Sequence, residues 1–185
     1  MKSWLAAIAL GAGLAVAAAP AYAADEKTLD CVSEQLDAPI AAGIEGHFER
    51  IVLTPLGDPM PVLPDAEAEA IQRAADRCAR LHGWSGKAAF AAQTYAKSKI
   101  GRAGTERGLR SFDIDPAPIA EFYFRQPLSL REVTMSDPVW KPVVMDFARE
   151  SGTRHLFDPA QARRVGRYLG CLSLIDVSRA DFRRA

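Results

Sequence analysis

Three arginines in the last third of the chain, Arg163, Arg164 and Arg167, are the residues whose type and spacing best suit binding chemistry. Arg163 and Arg167 are four residues apart and would share one face of a helix, with Arg164 beside them. A guanidinium group is a planar fork of N–H donors that suits phosphate and carboxylate groups. The three side chains therefore either bind an anionic partner or pair with acidic residues elsewhere in the chain.

The charges are unevenly distributed although the formal net charge is zero. Residues 24–70 contain eleven acidic residues against two basic ones, whereas residues 71–185 contain 20 basic and 12 acidic residues. The simplest interpretation is that the acidic first third lies against the basic remainder. The alternative is an anionic partner at the basic surface, such as an envelope lipid, a cell-wall polymer or an acidic protein.

A candidate nucleophile lies in residues 82–86, which read HGWSG and partly resemble the Gly-x-Ser-x-Gly elbow of the α/β-hydrolases. Lys87 stands where the elbow has its second glycine, and a helix is expected where the elbow requires a strand. We therefore interpret Gly83 as the end of one helix and Ser85 as the cap of the next. No catalytic residue is predicted.

The histidines give no metal-binding pattern. His47, His82 and His155 lie in three separate segments and none forms an i, i+4 pair. Asp113 and Asp115 precede Pro116 and are interpreted as turn and cap residues rather than as paired catalytic carboxylates. We expect no metal site and no cofactor.

The three cysteines, Cys31, Cys78 and Cys171, allow three pairings. One bond is expected in an oxidising compartment, and Cys31–Cys78 is favoured because both residues lie on predicted helices of the first half. Closing that loop would contribute about 3–4 kcal/mol. Cys171 would then be a buried thiol, and a redox role is not expected because no Cys-x-x-Cys is present.

Apolar residues recur at helical spacing along most of the chain after residue 24. The first predicted helix covers 26–37; the chain breaks or kinks near residue 38, and Asp37 caps a second helix. Two longer helices follow, from Asp65 to Gly83 and from Ser85 to about Ile100. Short helices begin at Asp115 and Asp137, and the last helix runs from Asp158 to about Leu174–Val177. Residues 54–64 contain four prolines and are predicted to form a loop. Glycines 101, 104 and 108 predict a loose connection up to Ser111.

Residues 1–23 have the pattern of an export signal. Lys2 precedes an uncharged apolar run of 16 residues from Trp4 to Ala19, and Ala21 and Ala23 are the small residues that a signal peptidase requires. The alternative is a membrane anchor, but a span needs about 20 apolar residues. The mature chain is expected to begin at Ala24, to contain no transmembrane segment and to be periplasmic or secreted.

The sequence therefore predicts an all-α, single-domain irregular bundle of about five to seven helices over residues 24–177, followed by a short C-terminal tail at 178–185. We expect an exported, non-catalytic binding or interaction protein of the cell envelope; its partner is an anionic envelope component or another envelope protein. Export argues against a nucleic-acid partner. The alternatives are an envelope or secreted hydrolase and a carrier of a small apolar ligand held between helices by aromatic side chains, which are Trp84, Phe90, Phe122, Tyr123, Phe124, Trp140 and Phe147.

Overall fold

The computed structural model describes residues 24–55, 57–135, 138–150 and 158–185. The predicted export signal, Asp137 and His155 lie outside these ranges. After a 3₁₀ turn at Glu26–Thr28, the helices are α1 (Cys31–Glu34), α2 (Ala38–Leu53), α3 (Asp65–His82), α4 (Gly86–Arg110), α5 (Pro116–Arg125), α6 (Leu128–Arg131), α7 (Trp140–Glu150) and α8 (Pro159–Arg184). The described residues contain no strand, so the all-α prediction is confirmed. No helix in the described ranges is long and apolar enough to cross a membrane.

The predicted helix starts are set by side-chain caps, as expected from the sequence. In each case a side-chain oxygen accepts a hydrogen bond from a backbone N–H of the first turn, at Asp37, Ser85, Asp115 and Asp158. Asp65 is an exception, because it is the first residue of α3 and Pro64 precedes it.

The two longest helices, α4 and α8, pack against each other and form the centre of the fold. One apolar cluster joins α1, α2, α3 and the first half of α4, and includes Phe182 from the end of α8. A second cluster joins α5, α7 and the middle of α8 around Trp140 and Tyr123. Helix α8 therefore contributes to both clusters of the core.

Glycines 101, 104 and 108 do not end α4, and the predicted loose connection is wrong. The helix continues to Arg110, and the three glycines lie at i, i+3 and i+7 on the side that faces α2. A Cβ atom at Gly104 would overlap the carbonyl oxygen of Glu45. The glycines therefore allow α2 and α4 to approach closely, and packing compensates for their low helix propensity.

We expect Gly104→Ala to lower the free energy of unfolding by about 1–3 kcal/mol, because the added methyl group forces α2 and α4 apart. Urea unfolding followed by circular dichroism measures this. The matched control is Gly166→Ala in α8, where an added Cβ has no neighbour within 4 Å. That variant should gain about 0.5–1 kcal/mol through helix propensity. A gain in both variants would contradict the close packing of α2 against α4.

The C-terminal segment predicted to be a short tail is helical instead. Residues 178–184 are the last two turns of α8, which does not end near Val177. Phe182 is fully buried and packs edge-to-face on Trp84 with ring centroids 5.0 Å apart, while Arg183 pairs with Glu26 at 3.3 Å. These long-range contacts stabilise the helical conformation of a segment whose own sequence is mostly polar.

The expected cysteine pairing is confirmed. The sulfur atoms of Cys31 and Cys78 are at disulfide distance, 2.10 Å, and the bond joins α1 to α3. Cys171 is a buried free thiol whose Sγ donates to the carbonyl of Ser98 at 3.3 Å. Burial raises the pKa of this thiol to about 12, so it carries little thiolate at neutral pH.

Candidate anion-binding face and the adjacent groove

One stripe of α8 places cations and an apolar surface in succession. Arg163, Arg167, Gly170 and Leu174 lie at i, i+4, i+7 and i+11, which is a single face of a helix. Arg164 is beside the first of them. We call Arg163, Arg164 and Arg167 the arginine face.

No member of the arginine face has a carboxylate partner among the described residues. Arg163 is exposed to solvent. Arg164 stacks its guanidinium on the ring of Phe112, 3.6 Å from the centroid, and its buried Nε atom has no hydrogen-bond partner in the described part of the chain. Nearby acids therefore do not account for these charges.

Arg167 binds the end of α2. Its Nη1 group donates to the carbonyl oxygens of Ile51 and Thr54, the latter at 2.8 Å. The carbonyl end of a helix carries partial negative charge and favours a cation. Burial, followed by repulsion from Arg163 and Arg164, lowers the pKa of Arg167. The three guanidinium groups therefore lie close enough for their charges to repel one another.

Several basic residues elsewhere do pair with acidic residues of the first third, as the charge distribution predicts. Acids of the first third pair with later cations at distances from 2.6 to 3.3 Å: Asp30 with Lys99, Glu45 and Glu49 with Arg107, and Glu26 with Arg179 and Arg183. Intramolecular pairing therefore explains much of the charge asymmetry. It does not extend to the arginine face.

A groove of about 380 Å³ lies between α2, α4, α8 and residues 134–135, and we call it the α8 groove. Arg167 is at its border with the arginine face, Gly170 and Cys171 belong to α8, and its lining is mainly apolar. The other lining residues are Phe48, Ile51, Thr105, Thr134, Met135, Ser173 and Leu174.

The glycines of α8 differ in role from those of α4. A Cβ atom added at Gly166 or Gly170 would have no neighbour within 4 Å, whereas one at Gly104 would overlap α2. Close helix packing therefore does not explain Gly166 and Gly170. At Gly170 the missing side chain leaves open the space of the α8 groove.

A buried polar network on another side of α8 was not anticipated from the sequence. Asp176 accepts hydrogen bonds from the Tyr123 hydroxyl at 3.1 Å and from Arg131 at 2.7 Å, and it also contacts Arg179. Burial and the charge of Asp176 raise the pKa of Tyr123. The carboxylate has several partners, which indicates a structural role. The sequence feature that could have indicated this network is Asp176 itself, a single acidic residue one turn after Leu172 on an apolar face of α8.

The HGWSG segment has the structural role predicted for it. Gly83 adopts a left-handed conformation with φ 67° after α3, and the Ser85 side chain accepts from the backbone N–H of Ala88. Trp84 donates from Nε1 to the hydroxyl of Thr28 at 3.0 Å and stacks on His82. The serine therefore acts as a cap in this fold.

His47 is a buried residue of α2. Burial, followed by the charge of Arg50, lowers the pKa of His47 on α2. In the described ranges no group of three or more His, Cys, Asp or Glu residues is arranged to hold a metal ion.

The aromatic residues proposed to line a cavity do not line the α8 groove. Phe90 and Phe124 are exposed, and the others pack in the two core clusters; these are Trp84, Phe122, Tyr123, Trp140 and Phe147.

A larger depression of about 480 Å³ lies between the start of α4 and the end of α8. Its residues include Lys87, Asp181 and Arg184, and Arg184 pairs with Asp181 at 2.8 Å. Because Arg184 already has a carboxylate partner, we consider the α8 groove and the arginine face the stronger candidate site.

Comparison of the chain with protein family models, with curated proteins and with solved structures finds no match. The functional argument therefore depends on the arginine face and the α8 groove alone.

Proposed function

We propose that this protein is an exported, non-catalytic binding protein of the cell envelope and that its partner is an envelope component carrying phosphate or carboxylate groups. The observation that supports the proposal is the arginine face, whose three cations have no carboxylate partner among the described residues. Arg163 and Arg164 would bind the anion, whereas Arg167 adds its positive charge while holding the end of α2.

Export is supported by two independent features. Residues 1–23 have the composition and cleavage pattern of a signal sequence. Cys31 and Cys78 are at disulfide distance, and disulfides persist mainly in oxidising compartments such as the periplasm and the extracellular space. The partner is therefore sought among envelope components rather than nucleic acids.

The physical argument for an anion is geometric, because three guanidinium groups lie at neighbouring positions of α8 and none has a carboxylate partner among the described residues. Near an anionic lipid surface each arginine contributes about 1 kcal/mol. Three adjacent cations would therefore give a weak but measurable and salt-sensitive attraction.

Two alternatives remain for comparison. A hydrolase is less well supported, because Ser85 and Asp115 act as helix caps in this fold. A carrier of an apolar ligand is supported by the α8 groove, although not by the aromatic residues first considered for it.

We expect the exported protein to sediment with vesicles that contain phosphatidylglycerol and not with pure phosphatidylcholine vesicles, and we expect salt to weaken the binding because screening shortens the range of the attraction. The variant Arg163→Glu/Arg164→Gln should bind at least about tenfold more weakly, since it loses two favourable contacts and adds a repulsive one.

The matched control is Arg73→Glu/Arg80→Gln, which makes the same change of charge at two exposed arginines of α3. It should bind vesicles nearly as well as the wild type, and circular dichroism should show that both variants are folded. Equal binding at low and high salt, or equal losses in the two variants, would contradict the proposal.

A further inference from the structure

We propose that the anionic partner is an amphiphile, with its charged head at the arginine face and a single hydrocarbon chain in the α8 groove. The inference depends on the proposed function, which requires an anion but does not specify what carries it. It identifies the class of ligand as an anionic lipid or a fatty-acid-like molecule rather than a polymer.

The order of residues along α8 supports this assignment. Arg163 and Arg167 occupy the first half of the stripe, and Gly170 and Leu174 occupy the second half. Eleven residues separate Arg163 from Leu174, which corresponds to about 16 Å of helix. An amphiphile has the same succession of charge and hydrocarbon, so one molecule can contact both parts.

The chemistry of the groove favours a chain without polar groups. The Thr105 and Ser173 hydroxyls and the Cys171 thiol each donate to a backbone carbonyl. Their hydrogen atoms are therefore already used within the protein. Among the described residues that line the groove, Arg167 is the one that carries a charge, and it lies where the groove meets the arginine face.

The size of the groove is consistent with one chain. Its volume of about 380 Å³ is at the lower end of the roughly 300–1,000 Å³ found for small-molecule sites. Gly170 contributes to this space because it lacks a side chain, and apart from its chain neighbours and the backbone of its own helix no atom lies within 4 Å of where its Cβ would be. A helical glycine that nothing covers is explained if a ligand occupies the space.

The first test is a chain-length series. Octyl, decyl and dodecyl phosphate, and the carboxylates of equal length, are titrated below their micelle concentrations into the exported protein by isothermal calorimetry. We expect each added methylene to tighten binding by about fourfold, which corresponds to about 0.8 kcal/mol per buried CH₂. A preference for the phosphates would indicate a phospholipid head, and equal binding would indicate any anionic head. An affinity that does not change with chain length would overturn the inference.

The second test fills the groove. We expect Gly170→Leu to weaken binding of dodecyl phosphate by at least about tenfold, because the new side chain takes the place of several methylenes. The control is Gly86→Leu, which adds the same side chain at an exposed glycine of α4, in the depression away from the α8 groove, where an added Cβ has no neighbour within 4 Å. This control should bind within about twofold of the wild type. Both variants should fold, since leucine has a higher helix propensity than glycine.

The outcomes separate this inference from the proposed function. If dodecyl phosphate does not bind but phosphatidylglycerol vesicles still sediment the protein, the inference is overturned and the proposed function stands. If dodecanol binds as tightly as dodecyl phosphate, the groove is an apolar site without an anionic head and the inference is overturned; the proposed function fails as well only if Arg163→Glu/Arg164→Gln also leaves vesicle binding unchanged. If Gly170→Leu binds dodecyl phosphate like the wild type, the hydrocarbon chain does not occupy the α8 groove.

Discussion

Replacing Asp176 with alanine is expected to lower the free energy of unfolding by about 3 kcal/mol, because the change leaves the largely buried guanidinium of Arg131 without its partner. The Asp176 side chain is only 3% exposed, and that of Arg131 is 18% exposed, so little water can replace the lost contact. Urea unfolding with an unchanged m-value would show that the effect is on stability rather than on the unfolded state.

The control for this prediction removes both charges. Asp176→Leu/Arg131→Met leaves no buried unpaired ion, and the Tyr123 hydroxyl keeps a second acceptor in the carbonyl of residue 131 at 3.4 Å. Replacing a buried pair by apolar residues is often neutral or stabilising. The double variant should therefore be more stable than Asp176→Ala. A loss as large as or larger than that of the single variant would show that the ion pair is not the cause.

Removing the disulfide by Cys31→Ala/Cys78→Ala is expected to lower the free energy of unfolding by about 4 kcal/mol. The bond closes a loop with a sequence separation of 47 residues, and its loss returns conformational entropy to the unfolded chain. The measurement is urea unfolding of both proteins without reductant.

A reductant provides the matched control for the disulfide. It should destabilise the wild type toward the stability of Cys31→Ala/Cys78→Ala and should not affect that variant, in which Cys171 is the remaining thiol. Mass analysis of the exported protein should show one internal bond. Three free thiols, or a wild type that does not respond to reductant, would contradict both the pairing and the oxidising compartment.

Much of the fold could be predicted from local signals. Asp37, Ser85, Asp115 and Asp158 mark helix starts because a short polar side chain binds the free N–H groups of the first turn, which requires only neighbouring residues. The pairing of Cys31 with Cys78 was favoured because both residues lie on predicted helices of the first half, although the sequence alone did not choose among the three pairings.

The errors arose where contacts between distant segments decide the structure. The glycines of α4 were interpreted by propensity, although their spacing at i, i+3 and i+7 is that of a single helix face packed on α2. The end of α8 is helical because Phe182 packs on Trp84 and Arg183 pairs with Glu26, both far away in the sequence. Tertiary contacts override propensity in both cases.

The sequence predicted the arginine face of the candidate site but not the α8 groove. The type and spacing of Arg163, Arg164 and Arg167 predict an anion-binding face. Whether these residues pair with acids depends on the packing of α8 against α2 and could not be read from the chain. The α8 groove is formed by three helices and residues 134–135, and no single segment contains its pattern.

The measurement that tests the central claim most directly is a titration of the isotopically labelled, exported protein with dodecyl phosphate, followed by amide chemical shifts. We expect the largest changes in residues 163–174 of α8 and in residues 48–51 of α2, where the arginine face meets the α8 groove. Changes centred instead on the depression between Lys87 and Arg184, or no saturable change at all, would contradict it.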